Sequence, residues 1–255
     1  MQESRAFIEK IRLINPNYQY LEVAIQDQAW RALKPGESLL VRFIDADNPD
    51  SETWHPYLRE QWWLSGFTMT GTMLIERPFS HKYRPQQEIS VLGPIGQPYR
   101  FRKSLRNVLL IAYDTPPIPL TVMIGQLLHN QISVTLVLLG EAQRYQTDHL
   151  SPEVEVIHGE TDLVWADQVM TLGWADQIFV VVQQDDELMR FAEVMNRVRE
   201  LRNDLPKNYI FGVFQPLLPC GVGACSACLM RVDGEVVPSC SKGPTFDLTQ
   251  VNLPR

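Results

Sequence analysis

Pro219-Cys-Gly-Val-Gly-Ala-Cys-Ser-Ala-Cys-Leu-Met-Arg-Val-Asp-Gly-Glu-Val-Val-Pro-Ser-Cys240 contains all four cysteines of a 255-residue chain. Their spacing is C-x4-C-x2-C-x11-C. Cysteines gathered in this way point to metal or redox chemistry rather than to scattered structural thiols. Cys220, Cys225, Cys228 and Cys240 are the expected ligands of a [2Fe–2S] cluster, which needs two thiolates on each iron. Three closely spaced ligands and a distant fourth match the plant-type pattern. A structural zinc site more often takes two well-separated pairs. Gly221 and Gly223 let the loop between the first two cysteines bend tightly, with amides free to point at sulfur. Those amides are expected to tune the potential. The runs Leu229–Val232 and Glu235–Pro238 flank Asp233-Gly234, a hairpin signal that returns the chain to deliver Cys240.

Upstream of this segment the texture changes twice. Residues 103–212 contain short continuous apolar runs at Val108–Ala112, Val134–Leu139, Val154–Ile157 and Ile178–Val182. Such runs suit strands buried on both faces of a parallel sheet. Helical patterns lie between them, one at Ile118–Leu128. Another is N-capped by Asp185 and runs through Leu188, Phe191, Val194 and Val198. Residues 1–102 read as β. Leu21, Val23 and Ile25 alternate with polar neighbours, Pro35-Gly36 marks a turn, and Leu39–Phe43 resumes a strand. Phe7–Ile14 fits a strand or a short helix. Trp54, Trp62 and Trp63 fall in a loop-like stretch and are read as a packed patch inside a small barrel. The expected fold is thus β followed by α/β. An N-terminal small β-barrel (1–102) precedes a central parallel-sheet α/β domain (103–212) and a C-terminal [2Fe–2S] hairpin module (213–255).

A formal net charge of −7 argues against a nucleic-acid partner. No apolar run is long enough for membrane insertion, and the N-terminus lacks a secretory h-region, so a cytoplasmic location is expected. The five histidines, His55, His81, His129, His149 and His158, form no paired ligand motif.

The cysteine motif, together with Cys240-Ser-Lys-Gly-Pro-Thr-Phe-Asp247, resembles the electron-transfer subunit of class B dihydroorotate dehydrogenase. Pro35-Gly-Glu-Ser38 and Val91-Leu-Gly-Pro-Ile-Gly96 resemble turns of that family's barrel, and the three regions occur in the family's order. The resemblance implies a ferredoxin–NADP reductase-like fold. It further implies FAD on the barrel, NAD(H) on the α/β domain, and a cluster linking FAD to a partner flavoprotein catalytic subunit in pyrimidine synthesis. Arg77 and Ser80, in Arg77-Pro-Phe-Ser80, match the letters of the family's flavin segment and are the FAD candidates. They sit closer to Leu92-Gly93-Pro94 than the family's order places them. By position the equivalent stretch is nearer Pro56–Trp63, and Arg77 also reads as a solvated surface arginine. The nicotinamide loop departs from the family. Tyr113-Asp-Thr-Pro-Pro117 removes two backbone donors and adds a negative charge, and Gln183-Gln-Asp-Asp186 is again acidic. NAD(H) is therefore not expected to bind. The resulting expectation is an electron relay to or from a partner flavoprotein or another redox partner. The alternative is a non-catalytic assembly subunit stapled by a cluster or by zinc.

Overall fold

A computed structural model describes residues 1–43, 58–80 and 82–254. Trp54, His55 and His81, and most of the Pro56–Trp63 stretch's N-terminal side, lie outside the described residues.

Six antiparallel strands close the N-terminal barrel: β1 (Gln2–Asn15), β2 (Tyr18–Ile25), β3 (Ser38–Phe43), β4 (Glu60–Phe67), β5 (Met73–Pro78) and β6 (Gln87–Ile95). Their order is β1-β2-β5-β4-β3-β6. The Phe7–Ile14 ambiguity resolves as strand, because Ala6 and Ile8 are fully buried while their neighbours face out. That is the two-residue period of a pleated strand. Trp62 and Trp63 lie in β4 rather than in a loop. Adjacent strand positions point to opposite faces. Trp62 accordingly fills the barrel with Ile8, Leu39 and Ile75, and Trp63 packs outward with Leu120 and Met123.

The second unit runs β7 (Asn107–Tyr113), α1 (Ile118–His129), β8 (Ser133–Leu139), β9 (Glu155–Gly159), α2 (Gln168–Trp174), β10 (Gln177–Val182), α3 (Glu187–Leu201) and β11 (Ile210–Val213). The four apolar runs became β7, β8, β9 and β10, and every residue of β10 is buried. Burial on both faces is what parallel packing between helices requires. Helix α3 begins one residue later than the Asp185 reading, with Asp186 at the N-cap and no side-chain cap bond.

The last segment carries β12 (Leu229–Val232), β13 (Glu235–Pro238), the short helix α4 (Ser239–Lys242) and β14 (Thr245–Asp247). The hairpin turn falls where it was read, with Asp233 at φ 51° and Gly234 at φ 81°. Strand β14 pairs antiparallel with β11. It completes a six-stranded sheet ordered β14-β11-β10-β7-β8-β9. The cysteine segment is thereby anchored in the α/β sheet at its end.

Candidate iron–sulfur centre

The four cysteines come together in two pairs. Cys220 lies beside Cys225, and Cys228 beside Cys240. The Cys220 sulfur also acts electrostatically on Cys240. All four thiols are free. Among the described residues, no three His, Cys, Asp or Glu side chains lie close enough together to hold one metal ion. A [2Fe–2S] rhomb takes two thiolates on each iron, and two adjacent pairs are compatible with that.

The pairs differ in setting. Cys225 is exposed and Cys220 half-buried. Cys228 and Cys240 are buried with Leu40, Ile95 and Leu218, against Leu92. The inner pair therefore rests on β3 and β6 of the barrel. Two backbone bonds fix that seat: the Gly96 amide donates to the Cys240 carbonyl at 3.0 Å and the Gln97 amide to the Gly243 carbonyl at 2.6 Å. On the other flank, the Phe214 amide donates to the Pro244 carbonyl at 2.9 Å. The Ser239 amide donates to the Cys228 carbonyl at 2.9 Å, joining the start of α4 to the third cysteine.

The loop between Cys220 and Cys225 turns its amides inward. Hydrogen bonds from the Val222 amide, and then from Cys225 and Ala224, hold the Cys220 thiol below its usual range, at about 6. Burial, and then the Cys228 thiol beside it, pushes Cys240 up to about 12, while the Gly223 amide pulls the other way. Gly221 and Gly223 take φ of 67° and 77°, which side chains rarely adopt. A Cβ at Gly221 would meet Ile95 and Leu40 at 2.7 and 2.9 Å. The loop's glycines thus let it bend and press on the barrel at once. Four thiols with inward amides fit a [2Fe–2S] cluster.

The carboxyl-terminal segment, residues 215–252, matches the family model of the iron–sulfur cluster binding domain of dihydroorotate dehydrogenase B. The chain is similar, at low identity, to that enzyme's electron-transfer subunits. The subunit named dihydroorotate dehydrogenase B (NAD(+)), electron transfer subunit, from Clostridium perfringens is 22% identical over 169 residues, 65% of this chain and 67% of the relative. Its namesake from Shouchella clausii is 26% identical over 173 residues, 65% of this chain and 66% of the relative. Both alignments span about two thirds of the relative. The fold is similar to the NADH-dependent reduced ferredoxin-NADP oxidoreductase of flavin-based electron bifurcation. That structure has a TM-score of 0.70 at 17% identity, over 97% of this chain and 89% of that one. It is also similar to the flavohem-like FAD/NAD binding domain of nitric oxide dioxygenase from Vibrio cholerae, with a TM-score of 0.59 at 12% identity over 84% and 99%. The barrel-plus-α/β architecture is therefore that of the ferredoxin reductases, as the resemblance implied.

The flavin candidates stand apart from the thiols. Arg77 is not a solvated surface arginine. Its side chain is 16% exposed and pairs with Glu60 at 2.7 Å. It donates to the Tyr83 hydroxyl at 2.9 Å and lies over the Trp62 ring at 5.1 Å. Ser80 is exposed, just beyond β5. Arg59, in the stretch nearer by position, donates to the Ser90 carbonyl at 3.1 Å and also pairs with Glu3. Neither arginine, as placed, fits a pyrophosphate without giving up a carboxylate.

One cluster was missed by sequence reading. Glu76 of β5 is buried beside His149, whose Nε2 lies 3.9 Å away. The same His149 nitrogen is 3.0 Å from the Tyr145 hydroxyl. Burial pushes Glu76 up to about 7. Glu76 follows Ile75, which fills the barrel, and so points to the outer face of β5, where Tyr145 and His149 cover it.

Proposed function

We propose that this chain is an electron-relay subunit that holds a [2Fe–2S] cluster, with Cys220 and Cys225 on one iron and Cys228 and Cys240 on the other. The observation that carries the reading is the side-by-side arrangement of two thiol pairs under a glycine loop whose amides face the sulfurs. When bound, the cluster supplies reversible one-electron transfer. The chain's own residues set its conditions. The amides of Val222, Ala224 and Cys225 stabilise negative charge at the outer pair. Leu40, Ile95 and Leu218 keep water from the inner pair. The exposed Cys225 edge is the side from which electrons enter or leave.

Bond-making chemistry belongs to a partner, since a cluster only accepts and donates electrons. The partner is a flavoprotein catalytic subunit, as the name borne by both relatives supports, and the pathway implied is pyrimidine synthesis. No step is assigned to FAD here, because Arg77 and Arg59 already hold Glu60 and Glu3. A flavin on this barrel rests on other contacts. We place the chain in the cytoplasm, a reducing compartment in which clustered cysteines serve metal or redox chemistry more often than disulfides. No helix among the described residues is long and apolar enough to cross a membrane.

Anaerobic purification tests the reading. A brown protein, with iron and acid-labile sulfide in equal amounts and absorption bleached by dithionite, is the expected result. Colourless protein with stoichiometric zinc overturns it. NADH added to the same sample is expected to leave the absorption unchanged, since electrons reach this relay from a docked protein.

A further inference from the structure

In open α/β sheets, ligands bind beyond the carboxyl ends of the strands where the winding reverses. Here the reversal lies between β7 and β10. The chain leaves β7 toward β8 and leaves β10 toward β11. The crevice is bounded by Tyr113-Asp114 after β7 and by Gln183 after β10, with α3 behind. A nucleotide phosphate placed there needs free backbone amides and a cation.

Both kinds of group are present, and both are already taken. The Gln183 amide donates to the Tyr113 carbonyl at 3.1 Å, and the Asp114 amide donates to the Leu139 carbonyl at 3.1 Å. Pro116 and Pro117 have no amide hydrogen. The Glu141 amide donates to Asp114 Oδ1 at 3.1 Å. Arg190 Nη1 lies 3.3 Å from Asp114 Oδ2. The same nitrogen donates to the Tyr113 hydroxyl at 2.7 Å and lies 3.3 Å from Glu193.

The Asp114 carboxylate thus sits between one backbone amide and one guanidinium, the two partners a phosphate oxygen takes. Its placement is specific. Asp114 holds φ 55°, and its side chain is only 13% exposed. Gly140 makes room for it, since a Cβ there would fall on Asp114 Oδ1.

We infer that Asp114 is an internal anion that plugs the crevice at the β7–β10 switch point and denies it to the diphosphate of a nucleotide. The cation and the amide remain in place, and the Asp114 carboxylate bridges them, with Glu193 on the same guanidinium. This goes beyond the relay reading and does not depend on it, because that reading stands or falls on iron content.

The test is calorimetric titration of the full-length protein with ADP. Asp114→Gly suits the left-handed backbone. Asp114→Asn keeps the volume, tolerates that backbone and removes the charge. We expect both variants to bind ADP about tenfold or more tightly than the parent chain. Adding Arg190→Gln to either is expected to abolish the gain. Should one variant unfold, by circular dichroism, the other carries the measurement. Parent protein that binds ADP as tightly as the variants overturns the inference. So does an absence of any gain in a folded variant, or a gain that survives Arg190→Gln.

Discussion

The amide of Gly96, at the end of the barrel, donates to the carbonyl of Cys240, the fourth cysteine, at 3.0 Å. Gly96 has φ 89°, and a Cβ on it would stand 2.9 Å from the Gly243 carbonyl oxygen and 3.1 Å from Pro244. At Gly96 the barrel and the cysteine segment therefore meet backbone to backbone. The inner thiol pair owes its position to a domain some 140 residues away in sequence, roughly the span from Gly96 to Cys240.

Gly96→Ala should disturb that meeting on two counts, backbone conformation and contact with main chain that cannot swing aside. The left-handed conformation alone costs a side chain about 1–2 kcal/mol. Chemical denaturation is expected to show a lower midpoint. The as-purified protein should also carry less iron per chain than the parent.

Serine substitution should separate the two thiol pairs. Cys225 is exposed and Cys240 is buried. Cys225→Ser should leave the metal-free fold as stable as the parent. Cys240→Ser places a hydroxyl among Leu40, Ile95 and Leu218 and should cost about 1–3 kcal/mol. Thermal unfolding of the two metal-free variants checks the difference, and both should lose the visible absorption.

Stability should fall as pH rises between about 4.5 and about 7, through Glu76. Burial raises its folded-state value from 4.5 to about 7. In that window the folded chain holds a proton that the unfolded chain has released, so raising the pH favours unfolding. The full effect, reached above pH 7, is on the order of 3 kcal/mol. Glu76→Gln removes it. Denaturant midpoints at pH 5 and pH 8 should converge for the variant relative to the parent.

Arg77 should behave as a structural residue of the barrel. Its ion pair with Glu60 is partly exposed, and its guanidinium lies over Trp62. Such contacts together contribute about 1–2 kcal/mol. Arg77→Ala is expected to lower the unfolding free energy by that amount in denaturant titration and to leave the flavin content per chain unchanged.

How much of this was legible beforehand follows from the range of each signal. The hairpin needed only Asp233-Gly234 between two short apolar runs, and it appears as read. The strands β7, β8 and β10 needed only their continuous apolar residues. Trp62 and Trp63 misled because two adjacent aromatics show no period. A strand wedged between the barrel core and α1 buries both faces, so neither residue alternates with a polar neighbour. Arg77 looked solvated because its partners come from elsewhere, Glu60 on β4 and Tyr83 beyond β5. The Asp114 plug was half visible. Its charge and the two prolines stood in the sequence, but Arg190 and Gly140 reach it only through the sheet. The gathering and spacing of the cysteines were legible, whereas their division into an exposed and a buried pair depends on where the barrel ends.

The central claim is a two-iron centre divided between two thiol pairs. Anaerobic coulometric reduction of the purified protein, with iron measured on the same sample, addresses it most directly. The account predicts uptake of one electron for every two irons, with the visible bands bleaching in step. Zinc in place of iron, or iron-loaded protein that takes up no electron, would contradict it.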